Sequence, residues 1–289
     1  MKLQALGLFC LLLFAQPARA DSDVFKVTRG EETVLQGEIL RIMISGQDVA
    51  EISGELEERA IPFAAVQDGL YLALVGIDME QKPGPRRLVI KGRGVAGATQ
   101  ESSVDFRVKP KRFAEERFSV PPSFDQLDQA TLARIRNESE RLDKLWKSTT
   151  PARLWDGPFL LPVKGEVSSP FGLRRVINGL KRAPHNGVDL KAELGTEILA
   201  ANHGRVVLRD EFFFSGKTLV VDHGGGLYTM YFHLNEFQAA EGANVHKGEV
   251  IGKVGMTGRV TGPHLHWGAR LQGARVDPLT LLNVVETTR

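Results

Sequence analysis

The chain has 289 residues, 42% of them hydrophobic and 25% charged, with a formal net charge of +2. That composition excludes a collagen-like, low-complexity or strongly basic nucleic-acid-binding protein, and no nucleic-acid partner is expected. The length suffices for about two domains at ~100–200 residues each.

Residues 1–20 read as a secretory signal peptide. Lys2 precedes an apolar run from Leu3 to Ala15, and Ala18 and Ala20 stand at the spacing of an A-x-A cleavage site. The run is shorter than the ~20 residues a spanning helix needs, so no stable membrane anchor is expected. Cys10 is the sole cysteine and follows Phe9 inside this run, which argues against lipidation. Cleavage after Ala20 leaves an exported protein without disulfides. It also removes two of the 37 basic residues and none of the 35 acidic ones, for a formal net charge of zero. Binding must then come from a shaped groove rather than a long-range field.

Residues 21–112 show short β-runs between turns. Val34–Ile44, Tyr71–Ile77 and Leu88–Ile90 are apolar and β-rich, and Val104, Phe106 and Val108 alternate with polar residues. Pro83-Gly84-Pro85 marks a turn. The spacing predicts a β-sandwich-like accessory domain without a catalytic constellation. Residues 113–156 form a linker. After the break at Pro121-Pro122-Ser123, residues Leu127, Leu132, Ile135, Leu142, Leu145 and Trp146 predict one amphipathic helix, Asp125 to Lys147. Residues 157–289 are turn-rich, with 19 of the 30 glycines. Short strands are predicted at Glu197–Ala201, Arg205–Leu208, Thr218–Val221, Leu227–Phe232, Val250–Val254 and His264–Arg270. Asn202-His203-Gly204 reads as a hairpin turn. The fold class is mostly β, ending in an antiparallel domain whose loops wall a cleft.

All seven histidines lie in this last domain. His185 and Asp189 are four apart; on a straight strand their Cα atoms would be ~13 Å apart, too far to share one ion comfortably. A bend at Asn186-Gly187 would bring both side chains round one metal. His264 and His266 are two apart on a strand and face the same side, with Leu265 and Trp267 turned to the core. His233 ends an apolar run and by itself reads as a solvated or core-satisfied residue. His203, His223 and His246 read as surface turn residues without a role.

His185-Asn186-Gly187-Val188-Asp189, Tyr231-Phe232-His233-Leu234 and Gly262-Pro263-His264-Leu265-His266 follow one another in this order. Together they resemble the three motifs of lysostaphin/LytM-type zinc endopeptidases. Ser169-Pro170-Phe171-Gly172, Gly248–Gly255, Thr257-Gly258 and Val276-Asp277-Pro278 agree with that resemblance, which covers residues 161–282. Asn186 and Trp267 depart from the usual pattern. The resemblance implies a LytM-type peptidase domain and zinc held by His185, Asp189 and His266. It also implies catalytic roles for His233 and His264 beside the metal. The implied function is hydrolysis of peptide cross-links in bacterial peptidoglycan, with stem peptides as partner and a periplasmic or extracellular, wall-associated location. The alternative is a non-catalytic regulator that activates other wall hydrolases. Such relatives have lost ligands, whereas all five positions are filled here.

Overall fold

The computed structural model describes residues 23–121, 127–148 and 150–284. The signal peptide read over residues 1–20, the Pro122-Ser123 break and the helix start at Asp125 fall outside them. The structure is mostly β, as its sequence patterning predicts.

Nine strands come first among the described residues: β1 (Lys26–Gly30), β2 (Thr33–Leu35), β3 (Ile39–Ser45), β4 (Val49–Leu56), β5 (Arg59–Pro62), β6 (Ala64–Gln67), β7 (Leu70–Gly76), β8 (Gly84–Gly94) and β9 (Thr99–Lys109). They form two sheets, ordered β1-β3-β7-β6 and β2-β9-β8-β4-β5. The apolar positions of alternating strands meet between them: Leu40, Ile42 and Ile44 from β3, and Leu88 and Ile90 from β8. In β7 the alternation fails, because Leu72 and Leu74 are buried as well as Ala73 and Val75. Its second face lies on the C-terminal region, where Leu72, Leu74 and Ile39 share one core with Trp267, Leu271 and Ala274. A strand buried on both faces reads as a continuous apolar run, which accounts for Tyr71–Ile77.

That junction also carries charge. Arg275 donates from Nη2 to Asp78 Oδ1 at 2.7 Å, from Nε to Oδ2 at 3.0 Å and from its backbone N–H to Oδ2 at 2.9 Å. Burial pushes the Asp78 pKa up, but the bonds from Arg275 outweigh it and hold the carboxyl below its ordinary value. A depressed folded-state pKa stabilises the protein above the unfolded value of ~3.9, and this is lost as the pH falls through the folded one. Arg275→Ala is expected to cost about 1–3 kcal/mol at pH 7, and less below pH ~4. Denaturant unfolding of both proteins at pH 7 and pH 3 measures it; an equal cost at both values would discount the ion pair.

The linker supplies strand β10 (Glu115–Phe118) and helix α1 (Gln129–Lys147). Asp128 caps the helix by accepting from Thr131 N–H at 2.6 Å, so the described helix begins at Gln129. No residue of α1 is fully buried, yet Leu142, Leu145 and Trp146 pack on Leu208, Tyr228, Met230 and Phe232. The apolar stripe therefore serves to lay the helix on the neighbouring sheet. No helix of the described residues is long and apolar enough to cross a membrane.

The remaining strands are β11 (Val167–Ser169), β12 (Arg174–Ile177), β13 (Leu180–Lys181), β14 (Gly187–Lys191), β15 (Glu197–Leu199), β16 (Gly204–Phe212), β17 (Gly216–Asp222), β18 (Leu227–Phe237), β19 (Asn244–Val245), β20 (Val250–Val254), β21 (His264–Leu271) and β22 (Ala274–Val276), before a 3-10 helix at Pro278–Asn283. The main antiparallel sheet runs β11-β14-β21-β18-β17-β16-β19, with β20 beside β18 and β22 beside β21. A small sheet, β10-β12-β13, stands apart from it.

Two expectations from sequence are corrected here. Asn202-His203-Gly204 is not a hairpin turn, since β15 pairs with β20 and β16 with β17 and β19. Asn202 is instead fully buried; its Oδ1 accepts from Asp156 N–H and its Nδ2 donates to Asp156 O, which ties the linker's end to the sheet. His223 is not a surface residue but fully buried. Its ring nitrogens lie 2.7 Å from His203 O and 2.7 Å from Thr229 Oγ1, and burial pushes its pKa down to about 4. An imidazole bonded at both nitrogens and kept neutral is tolerated in a core.

Candidate active site

Strand β21 sits between β14 and β18, and the register places Asp189 and Phe232 on either side of His266. Leu265, Trp267 and Ala269 of β21 point into the core, as do Val188 and Leu190 of β14. By strand alternation His264, His266 and Asp189 share the opposite face. That face also carries Met230 and Phe232, on which the linker helix packs.

His185 lies outside a strand, because β14 begins only at Gly187. Its backbone is tied to the preceding segment: His185 N–H donates to Leu173 O at 3.0 Å, and Gly172 N–H donates to His185 O at 2.8 Å. Freed from the strand's straight path, its ring reaches the face occupied by Asp189. His185 Nε2, Asp189 Oδ1 and His266 Nδ1 form a triangle with every side 2.9 Å. Gly187 makes this possible. A Cβ there would lie 2.4 Å from Trp267 O and 2.6 Å from His266 Nε2. Gly187→Ala is thus expected to displace the His266 ring and weaken metal binding at least tenfold; the replacement should also cost about 1–3 kcal/mol of stability through overpacking. Chelator competition alongside thermal melting checks this, and unchanged metal affinity would show that the ring is not confined there.

The chemistry of the triangle fits a cation. His185 Nδ1 is 3.0 Å from Pro170 O, an atom that can only accept, so Nδ1 carries the proton and Nε2 presents a lone pair. That lone pair faces a carboxylate oxygen at 2.9 Å with no hydrogen between them. His266 Nε2 is buried and without a hydrogen-bond partner among the described residues. It is the nitrogen that bears the proton if Nδ1 is given to a metal. The sides are a little shorter than the ~3.3 Å between ligand atoms of a tetrahedral site with ~2.0–2.1 Å bonds, a gap small side-chain shifts close. Phe232 stacks on the His266 ring at 4.9 Å with planes 5° apart, which fixes its tilt.

His233 and His264 stand beside this triangle. Their ring centroids are 5.0 Å apart, and His264 Nε2 is 3.7 Å from Asp189 Oδ1. His233 Nδ1 donates to Thr257 O at 2.9 Å and His264 Nδ1 to Gly262 O at 2.9 Å, leaving both Nε2 atoms bare. Burial, reinforced by His266, pushes the His233 pKa down to about 4 and keeps its ring neutral near pH 7.

The sequence pattern ends its strand at Phe232, but β18 continues to Phe237 and His233 lies inside it. His233 has φ +66°, where the register with β17 slips by one residue. The bulge turns two consecutive side chains, Phe232 and His233, to the site, while Tyr231 and Leu234 enter the core. The loop beyond β16 holds it: Ser215 O accepts from His233 N–H at 2.9 Å, and Phe214 O accepts from Arg259 N–H at 3.0 Å. Gly216 lets this loop meet the next, since a Cβ would lie 2.3 Å from the Thr257 backbone. Glu138 of α1 accepts from Phe213 N–H at 3.0 Å and anchors the same loop from outside.

Sequence reasoning gave Gly187 only a bend with Asn186 and assigned no role to Phe232, Thr257 or Pro170. Each lies within a motif quoted for the family resemblance, and that was the only available signal. His203 and His246 lie elsewhere and pair edge to face at 5.6 Å.

Two histidines and an aspartate whose donor atoms could hold a metal ion, with two further imidazoles offering lone pairs beside them, form one grouping on the β-sheet. The sequence model of peptidase family M23 matches residues 183–278. A solved peptidase M23 structure from Pseudomonas aeruginosa superposes with TM-score 0.67 at 30% identity, covering 86% of this chain and 94% of that one. The chain belongs to peptidase family M23. Among curated proteins it is similar to the DD-carboxypeptidase/endopeptidase Mpg of Neisseria meningitidis, 41% identical over 117 residues, 40% of this chain and 26% of that protein. It is also similar to the peptidoglycan DD-endopeptidase ShyA of Vibrio cholerae, 38% identical over 117 residues, 40% of this chain and 27% of that protein. The matched segment thus spans about a quarter of the length of these curated relatives.

Proposed function

We propose that this protein is a zinc-dependent endopeptidase that hydrolyses peptide cross-links of bacterial peptidoglycan. The supporting observation is the convergence of three metal-directed donor atoms with the bare Nε2 atoms of His233 and His264. The relatives named as peptidoglycan DD-endopeptidases support the choice of substrate. In this reading residues 157–289 are the peptidase domain, 113–156 the linker and 21–112 an accessory domain. A protein acting on wall peptides works outside the cytoplasm, in keeping with the signal peptide read in residues 1–20.

His185 Nε2, Asp189 Oδ1 and His266 Nδ1 would hold zinc. When bound, zinc supplies Lewis acidity toward the scissile carbonyl and acidifies water. Three protein ligands suit a catalytic rather than a structural site, because one position is left for substrate or solvent. The two imidazoles do the proton work. One Nε2 accepts a proton from the attacking water; the protonated ring can then deliver it to the departing amine nitrogen. The other ring, once protonated at both nitrogens, can donate from Nε2 to the oxygen on which negative charge develops. Carbonyl oxygens at both Nδ1 atoms hold a proton there, which leaves Nε2 of a neutral ring free to act as the base.

The test is to incubate the zinc-loaded protein with purified wall sacculi and identify released fragments by mass spectrometry. Fragments cut at peptide cross-links are expected. No cleavage of any cross-link, together with stimulation of a separate wall amidase, would replace the enzyme with the regulator.

A further inference from the structure

We propose that Ser169 and Arg175 are positioning residues for the metal ligand His185, and that the linker strand β10 tunes metal affinity through them. This rests on the reading of His185 as a ligand. The residues lie outside the 183–278 segment matched to the family.

The chain of contacts starts at the ring. Besides Pro170 O, His185 Nδ1 has Ser169 Oγ at 3.3 Å. Ser169 is buried, and its Oγ accepts from Arg175 Nη2 at 3.1 Å. A hydroxyl oxygen has two lone pairs, so it can accept from arginine and imidazole together. A ligand histidine whose far nitrogen donates to a fixed acceptor keeps one tautomer and one ring orientation. Pro170 O is one such acceptor and Ser169 Oγ a second, which Arg175 holds in place.

Arg175 is in turn held by the linker. In the parallel pairing of β10 with β12, Glu116 stands opposite Arg175, and its carboxylate is 3.7 Å from Arg175 Nε. The backbone joins as well: Arg174 N–H donates to Ala114 O at 2.9 Å and Asn178 N–H to Phe118 O at 3.2 Å. The β12–β13 hairpin has only two paired positions, and an isolated short hairpin is marginal in water. The third strand steadies it. Phe113 of the linker adds apolar contact. Its ring lies edge-on to Phe171 at 6.1 Å and fills the space above Gly172, the residue whose N–H binds His185 O. All four side chains of β10 are exposed. The strand gains no core of its own, and its ordered contacts are those with the segment that delivers His185.

The experiment measures zinc affinity of the full chain by competition with a chromophoric chelator, with metal-free melting recorded alongside. Ser169→Ala and Arg175→Ala are each expected to weaken zinc by about 10–100-fold with near-wild-type melting, the usual cost of removing an outer partner of a ligand. Arg175→Lys, which keeps a donor for Ser169, should recover much of that loss. Glu116→Ala should weaken zinc a few-fold in the wild-type background and not in Arg175→Ala. Unchanged affinity in both Ser169→Ala and Arg175→Ala would overturn the positioning role, and Ser169→Ala alone decides it if Arg175→Ala fails to fold. Equal effects of Glu116→Ala in both backgrounds, or none in either, would overturn the part played by the linker. The underlying reading fails separately, if the wild type takes up no stoichiometric zinc or His185→Ala binds it as tightly as wild type.

Discussion

His264→Ala and His233→Ala should each retain zinc and lose about 10²–10⁴-fold in hydrolysis, the contribution of a positioned acid or base. His264 shares a strand face with His266, and its Nε2 comes to 3.7 Å of Asp189 Oδ1, beside the donor triangle rather than at one of its corners. His233 is held by the bulge, by Thr257 O at Nδ1 and by Ser215 O at its backbone N–H. Each substitution removes one side-chain hydrogen bond, from His233 Nδ1 to Thr257 O or from His264 Nδ1 to Gly262 O, and leaves the backbone pairing of the sheet in place. The His233 loss should be accompanied by a small change in stability, because an αL residue is replaced by one that adopts αL no more readily. Cleavage of defined cross-linked wall peptides, with zinc content measured on the same samples, decides the matter. Full activity in both variants with zinc bound would remove the two imidazoles from the mechanism.

His266→Ala should lose the metal while the sheet persists. His266 supplies one corner of the triangle, and its neighbours in β21, Leu265 and Trp267, are fully buried on the other face. The strand is thus secured by core contacts that the substitution leaves alone. Two ligands remaining from three would drop zinc affinity by several orders of magnitude, and the cavity left under Phe232 would cost about 1–2 kcal/mol on top. Metal analysis of the purified protein, paired with circular dichroism, reads both effects. Near-stoichiometric zinc in His266→Ala would mean that the metal sits on other residues.

The site's composition was legible in the sequence to the extent that its residues lie in local motifs. His264 and His266 share a face because strand side chains alternate, which needs no tertiary information. The apolar partners Leu265 and Trp267 follow from the same periodicity. The mostly β character and the single linker helix were readable for similar reasons, since short alternating runs and a one-sided apolar stripe are local patterns.

What the tertiary structure alone decided depends on pairing between distant segments. The bulge at His233 arises from a register slip against β17, and nothing in Tyr231-Phe232-His233-Leu234 by itself shows that two consecutive side chains will face the same way. His223 looked like a turn residue because glycines follow it, yet Thr229 and His203 satisfy both its nitrogens inside the core. The apolar run of β7 concealed a second interface, visible only once Leu72 and Leu74 meet Leu271 and Ala274. The linker's β10 has no apolar period of its own, so its parallel pairing with β12 could not be anticipated. Local sequence determines which side chains share a strand face, because that follows from backbone geometry within a few residues. Register, bulges and burial are set by contacts between residues far apart in the chain, and only the folded structure brings those together.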